Sequence, residues 1–277
     1  MSGHTGAMAA KALAGVAVVA AAAGFAVGSS AGPDRHGAVV RRFAVKSRFV
    51  HRTLHEVAVV PSGVGSNEKR PMLVFLHGRT TSPGSLLTPQ FFAGLARLGK
   101  RAPVVVASDG GDHSYWHDRR GRRWGSYVLR EAIPAAERRL PVDSSRVAIG
   151  GISMGGYGAF SLARGRRFCA VGGHSPAFWL SWSQTAPGAF DNARDFRRHS
   201  VYRYVRSYRH PYGSTPLWID RGRSDPFTSY DAVVVRALRA RGAHLSSHVW
   251  RGAHTGRYWR AHMARYLRFY ARALARC

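Results

Sequence analysis

Ser153 stands in the spacing with the clearest chemical use in this chain. Gly151-Ile152-Ser153-Met154-Gly155 fits the pattern G-x-S-x-G, which alone is weak. Its context narrows the reading: the apolar residues 147–149 lead in as a strand, and the Gly-rich run 155–159 leads out as a helix start. So sharp a strand-to-helix turn needs flanks nearly free of side chains. It pushes the serine hydroxyl out at the edge of a sheet, beside the positive end of a helix. A serine hydroxyl is a poor nucleophile until a base takes its proton, and the base needs a carboxylate to orient it. The chemistry this points to is a two-step acyl transfer.

Around such a turn the acid and then the histidine follow the serine in the chain, each on a loop beyond a later strand. Strand-like residues 217–220 are followed by Arg221-Gly222-Arg223-Ser224-Asp225-Pro226. Asp225 lies past the strand end, where it can reach the next loop, and is the preferred acid. Asp220, the last strand residue, is the alternative and reads as structural. Asp231 falls inside the next helix as a solvated or capping residue. The run Arg251-Gly252-Ala253-His254 puts His254 on the following loop, and of fourteen histidines it alone has the right order and place. His248 is mid-strand and reads as buried or paired. An oxyanion needs two backbone N–H donors; Met154 supplies one, and Arg79, in the loop His77-Gly78-Arg79, is the choice for the other. His77 precedes the serine and reads as bracing its turn.

Elements able to hold these residues are legible as alternation. Strand-like runs fall at 39–50, 56–60, 72–76, 104–107, 147–150, 170–173, 217–220 and 246–250, the first two as an antiparallel pair. Helical stretches fall at 89–98, 127–140, 155–164, 229–241 and 257–275. The order predicts an α/β fold, with a mostly parallel central sheet and helices on both faces. Such sheets carry their sites at the carboxyl ends of the strands. Residues 36–277 read as one domain, and 175–216, irregular, aromatic and Arg-rich, as an insertion placed to cap the site.

The formal net charge is +28. Nearly all of it is arginine, the lysines being Lys11, Lys46, Lys69 and Lys100, and no basic run exceeds two residues. That scatter reads as the composition of a G+C-rich genome. Electrostatic association with an anionic cell-surface polymer or lipid is the alternative. No helix-turn-helix, zinc-finger or RNA-binding signature supports nucleic acid as a partner. Lys11, the uncharged apolar residues 13–27 and the small residues 28–31 read as an export signal, with an uncleaved anchor as the rival. The protein is thus expected to be secreted or associated with the cell envelope, with residues 1–35 outside the fold. Cys169 reads as a buried small hydrophobe and Cys277 is the last residue given, so a disulfide framework is not expected, though a bridge between the two is left open.

Together these motifs make the chain resemble the esterase D, feruloyl esterase and mycolyltransferase group of α/β-hydrolases over residues 55–270. The resemblance rests on Leu76-His77-Gly78, Asp109-Gly110-Gly111, Glu131-Ala132-Ile133-Pro134, residues 151–159, Asp220-x-Gly222-x-x-Asp225 and Gly252-Ala253-His254. It implies the α/β-hydrolase fold, no metal or organic cofactor, and Ser153, Asp225 and His254 as the triad of a serine carboxylic-ester hydrolase acting on a small-molecule or envelope-linked ester. The mycolyltransferase branch usually has glutamate as its acid, so the aspartate here favours hydrolysis over mycolyl transfer. The cytosolic thioester-hydrolysing members lack an export signal, which argues against that substrate. Acyl transfer to an envelope sugar, and a non-catalytic envelope-binding protein on a hydrolase scaffold, remain the alternatives. His113, Tyr115 and Trp116 are expected either to line the acyl or alcohol pocket or to pack on the core. Glu131 reads as a salt-bridge residue, Asp191 and Asp195 as partners of arginines rather than a metal pair, and the last helix as amphipathic with its apolar face on the sheet.

Overall fold

Residues 32–65 and 68–277 are described by the computed structural model, so the apolar segment at 13–27 and the small residues after it lie outside the described residues. Among the described residues, ten strands form in chain order. They are β1 (Val39–Ser47), β2 (Arg52–Val60), β3 (Arg70–Leu76), β4 (Val104–Ser108), β5 (Asp118–Arg119), β6 (Arg122–Arg123), β7 (Val142–Ile152), β8 (Val171–His174), β9 (Leu217–Gly222) and β10 (Leu245–Trp250). The small β5–β6 ribbon stands apart; the other eight make one sheet in the order β1-β2-β4-β3-β7-β8-β9-β10. From β4 to β10 every pairing is parallel, and β2 alone runs against the rest. Val104–Ser108 is buried throughout, as a strand covered on both faces must be.

The two faces are covered by different helices. Along β3, Met72, Val74 and Leu76 join one core cluster and Leu73 and Phe75 the other, the period of two that a pleated strand imposes. The second cluster packs against α1 (Pro89–Ala96) and α8 (Gly256–Leu274). The first packs against α2 (Trp124–Tyr127), α3 (Ile133–Arg139), α4 (Met154–Leu162) and α7 (Thr228–Ala240). Each fully buried Leu, Val or Phe in these layers contributes about 1.5–3 kcal/mol. No helix of the described residues is long and apolar enough to cross a membrane.

Several boundaries differ from the sequence reading, for physical reasons. β1 stops at Ser47, because its hydroxyl accepts from the amides of Phe49 and Val50 and turns the chain back into β2. The stretch read as one helix at 127–140 begins at Trp124 and passes through a π-helical turn, Val128–Ala132, just before Pro134, which has no N–H for the regular ladder. Residues 175–216 are built into the domain, with Trp179 and Ala186 facing the cavity over Ser153. They carry α5 (Ala193–His199) and α6 (Val201–Ser207), and their Phe178, Trp179, Phe190, Phe196 and Val205 join the core. Cys169 and Cys277 are bridged, with Cα atoms 5.6 Å apart. Cys169 is therefore no free apolar filler: it ties the approach to β8 to the end of α8.

Candidate active site

Ser153 occupies a backbone conformation that L-residues seldom adopt, φ 54° and ψ −115°. Such a conformation costs on the order of 1–3 kcal/mol and persists only where the surroundings enforce it. Here the Ser153 amide donates to the His174 carbonyl at 3.0 Å, and its carbonyl accepts from Tyr157 and Ala177 at 3.0 and 3.1 Å. Gly151 and Gly155 are required by close approach. A Cβ on Gly151 would lie 2.5 Å from the Leu76 carbonyl oxygen, and one on Gly155 would collide with the same oxygen. The first turn of α4 thus lies directly on the end of β3.

His254 stands between β10 and α8, and Asp225 between β9 and α7. Ser153 Oγ lies 2.8 Å from His254 Nε2, and His254 Nδ1 lies 2.9 Å from Asp225 Oδ2. Asp225 Oδ1 accepts from the Phe227 amide at 2.9 Å. Burial pushes the Asp225 carboxyl up, but the hydrogen bond and charge of His254 and the Phe227 amide outweigh it and hold the group below the ordinary carboxylate range. An ionised carboxylate only accepts, so His254 carries its proton on Nδ1 and presents Nε2 as acceptor to the serine hydroxyl. Rings of Trp259 and Phe227, 5.0 and 5.2 Å away, fix the imidazole plane.

These groups open on a cavity of about 460 Å³, within the range of small-molecule sites. Its walls include Phe75, Leu86, Trp179, Phe227, Trp259 and Met263. Gly78 and Arg79 line it beside Ser153, and the amides of Met154 and Arg79 donate to no protein acceptor among the described residues. His77 has the bracing position read for it. Its Nδ1 donates to the Gly78 carbonyl at 2.8 Å and its Nε2 accepts from the Gly110 amide at 3.0 Å. Burial holds its pKa down, so it stays neutral.

Of the three residues expected near the pocket, only Tyr115 lines it, and burial pushes its hydroxyl up to about 12. Trp116 is fully buried and packs where Gly110 and Gly158 lack side chains. His113 is exposed, and its carbonyl accepts from Arg119 at 3.0 Å. Asp191 does pair with an arginine, Arg119, at 2.8 Å. Asp195 does not: it accepts from His117 at 3.1 Å and His199 at 2.8 Å. That trio is the one described group able to hold a metal ion, and its two hydrogen bonds already account for its proximity. Glu131 pairs with Arg48 as read, and α8 buries Met263, Leu267 and Tyr270 against the sheet.

One polar network was not foreseen. Asp220 accepts from His174 Nδ1, Trp218 Nε1 and the hydroxyls of Tyr258 and Tyr266, at 2.7–2.8 Å. The Tyr270 hydroxyl reaches His174 Nε2 at 2.9 Å, over the bare backbone of Gly150 and Gly172. The wall residues Phe227 and Trp259 were within reach of sequence reasoning, as aromatics beside the loops that carry Asp225 and His254. Trp179, from a segment distant in sequence, carried no such signal.

Comparison with known proteins bears on the fold and the family. Among solved structures, a ferulic acid esterase superposes with a TM-score of 0.78 at 20% identity, covering 87% of this chain and 100% of its own. An S-formylglutathione hydrolase from Agrobacterium tumefaciens gives 0.74 at 19%, covering 88% and 99%. A fluorophosphonate-binding serine hydrolase of Staphylococcus aureus gives 0.69 at 17%, covering 87% and 99%. These likenesses establish the α/β-hydrolase fold. No curated protein sequence matches the chain. The family described as "Putative esterase" matches residues 52–270, and over that span, most of its length, the chain belongs to this family of carboxylic ester hydrolases.

Proposed function

We propose that Ser153, His254 and Asp225 act as a catalytic triad that hydrolyses carboxylic esters through an acyl-enzyme. The observation that carries this reading is the unbroken hydrogen-bond chain from the Ser153 hydroxyl through His254 to Asp225, at the floor of an apolar cavity. Ser153 Oγ bonds to the ester carbonyl carbon as its proton passes to His254 Nε2, and Asp225 stabilises the imidazolium without taking the proton. The oxyanion accepts from the amides of Met154 and Arg79. Collapse of the tetrahedral adduct expels the alcohol, which leaves with the proton from His254. A water then gives a proton to the same nitrogen and attacks the acyl carbon, releasing the acid and restoring Ser153.

The aromatic wall of Trp179, Phe227 and Trp259 supports acyl groups larger than acetyl, and the likeness to a ferulic acid esterase supports an aromatic acyl group among them. The Cys169–Cys277 bridge supports export, since disulfides persist in oxidising compartments. The deciding experiment is fluorophosphonate labelling of the native chain, followed by turnover of p-nitrophenyl and feruloyl esters. Labelling is expected at Ser153 and is abolished by Ser153→Ala. A label that survives that substitution would overturn the reading.

A further inference from the structure

The sheet face covered by α8 runs out past that helix at β9 and β10. A groove of about 670 Å³ lies there, and it shares no lining residue with the cavity over Ser153. Arg167, Arg265, Arg268, Arg272 and Arg276 line it, and no Asp or Glu side chain does. All five are exposed, and none is in an ion pair among the described residues. Arg265, Arg268 and Arg272 lie three and four residues apart on α8, so they share one helix face and at 1.5 Å per residue extend over roughly 10 Å; Arg276 follows in the turn after the helix. Opposite them, β9 and β10 present Trp218, His248 and Trp250. The Trp218 and His248 rings are 4.4 Å apart, His248 stacks on Trp250 at 4.8 Å, and the Arg265 guanidinium lies 5.3 Å over Trp250.

A row of unpaired guanidiniums matches a ligand whose negative charge repeats along a line, and the planar fork of arginine suits carboxylates and phosphates. Flat, partly exposed rings alongside suit a ligand with weakly polar faces between its charges. Linear acidic polysaccharides have both properties. Cys169 and Cys277 line the same groove, so the bridge that fixes the end of α8 also fixes Arg276. That bridge points to an oxidising compartment, where the abundant polyanions are glycans rather than nucleic acids. We infer that this groove binds a linear acidic polysaccharide, with its charges on the α8 arginines and its sugar rings over Trp218 and Trp250. The inference does not depend on how Ser153 reacts.

The test uses the full chain, with binding to immobilised polygalacturonate compared with dextran. Arg268→Glu/Arg272→Glu alters the groove, and Arg41→Glu/Arg42→Glu makes the same change of charge on the exposed residues of β1. At physiological salt the native chain binds polygalacturonate and not dextran. There the groove pair loses about tenfold or more in affinity and the β1 pair less than about twofold. Ester turnover is retained by both pairs, which reports that they are folded. Arg268→Gln/Arg272→Gln repeats the test without new carboxylates and is expected to weaken binding in the same sense. Equal losses in the groove and β1 pairs would reduce the attraction to net charge and overturn the assignment. So would tighter binding to a single-stranded oligonucleotide or to anionic vesicles than to polygalacturonate, or no preference over dextran.

Discussion

Two aspartate–histidine pairs grow from the end of the same strand, and they differ in what surrounds them. Asp225 with His254 and Asp220 with His174 have nearly the same separation, 2.9 and 2.8 Å. Both carboxylates are wholly buried. What differs is the far nitrogen of the imidazole. In His254 it meets a serine hydroxyl at a cavity floor; in His174 it meets the Tyr270 hydroxyl inside the core. Asp225 also has few other partners, whereas Asp220 accepts from a tryptophan and two tyrosines besides its histidine. The distance within a pair is therefore a poor guide to catalysis. Chemistry needs a reactive atom on the other side of the ring and space in which substrate can meet it. The sealed pair holds β8, β9 and α8 together underneath the open one.

Each of the following substitutions can break that division of labour. Ser153→Ala is expected to lower kcat/KM for a p-nitrophenyl ester by about 10⁴-fold or more, with the melting temperature nearly unchanged. Asp225→Asn is expected to cost about 10³- to 10⁴-fold in kcat by favouring the wrong imidazole tautomer, again with little loss of stability. Asp220→Asn should do the reverse. It sets an amide donor among hydrogen-bond donors and costs about 3–5 kcal/mol, on the order of 10 °C in melting temperature, while the protein still folded keeps its turnover. If Asp220→Asn abolished turnover at unchanged stability, the division would be wrong. Tyr270→Phe, which leaves His174 Nε2 without a partner, is expected to cost about 1–3 kcal/mol by denaturant unfolding.

The smallest effect is on acid sensitivity. The folded chain holds Asp225 below the ordinary carboxylate range, so the unfolded chain takes up that proton first as pH falls. The stability this group contributes is full above about pH 4 and is lost on acidification through its folded pKa. Unfolding of Asp225→Asn should therefore lack that part of the acid dependence, measured against native protein from pH 2 to 6.

The open pair was legible in the sequence and the sealed one was not, because their causes lie at different ranges. Gly151 and Gly155 mark the turn at Ser153 within five residues, and loops following strands place Asp225 and His254 without knowledge of their neighbours. Alternation of apolar runs likewise gave the layered sheet. The partners of Asp220 come instead from β8, β9 and α8, and no local pattern announces that they converge. Tyr115 and Trp116 are adjacent in sequence, yet one lines the cavity and the other packs beneath it, each at positive φ. Periodicity says nothing of side-chain direction in such a turn. Cys169 illustrates the same limit, since only the docking of α8 brings its partner near.

The Cys169–Cys277 bridge has one more consequence. The cysteines are 108 positions apart, and the segment between them contains both Asp225 and His254, while Ser153 lies outside. A protease cutting at an exposed turn within it, such as Gly188 or Gly213, would open the backbone without parting the fragments. Asp225 and His254 would stay joined to the chain bearing Ser153, and the nicked protein would separate into two bands only after a reductant is added.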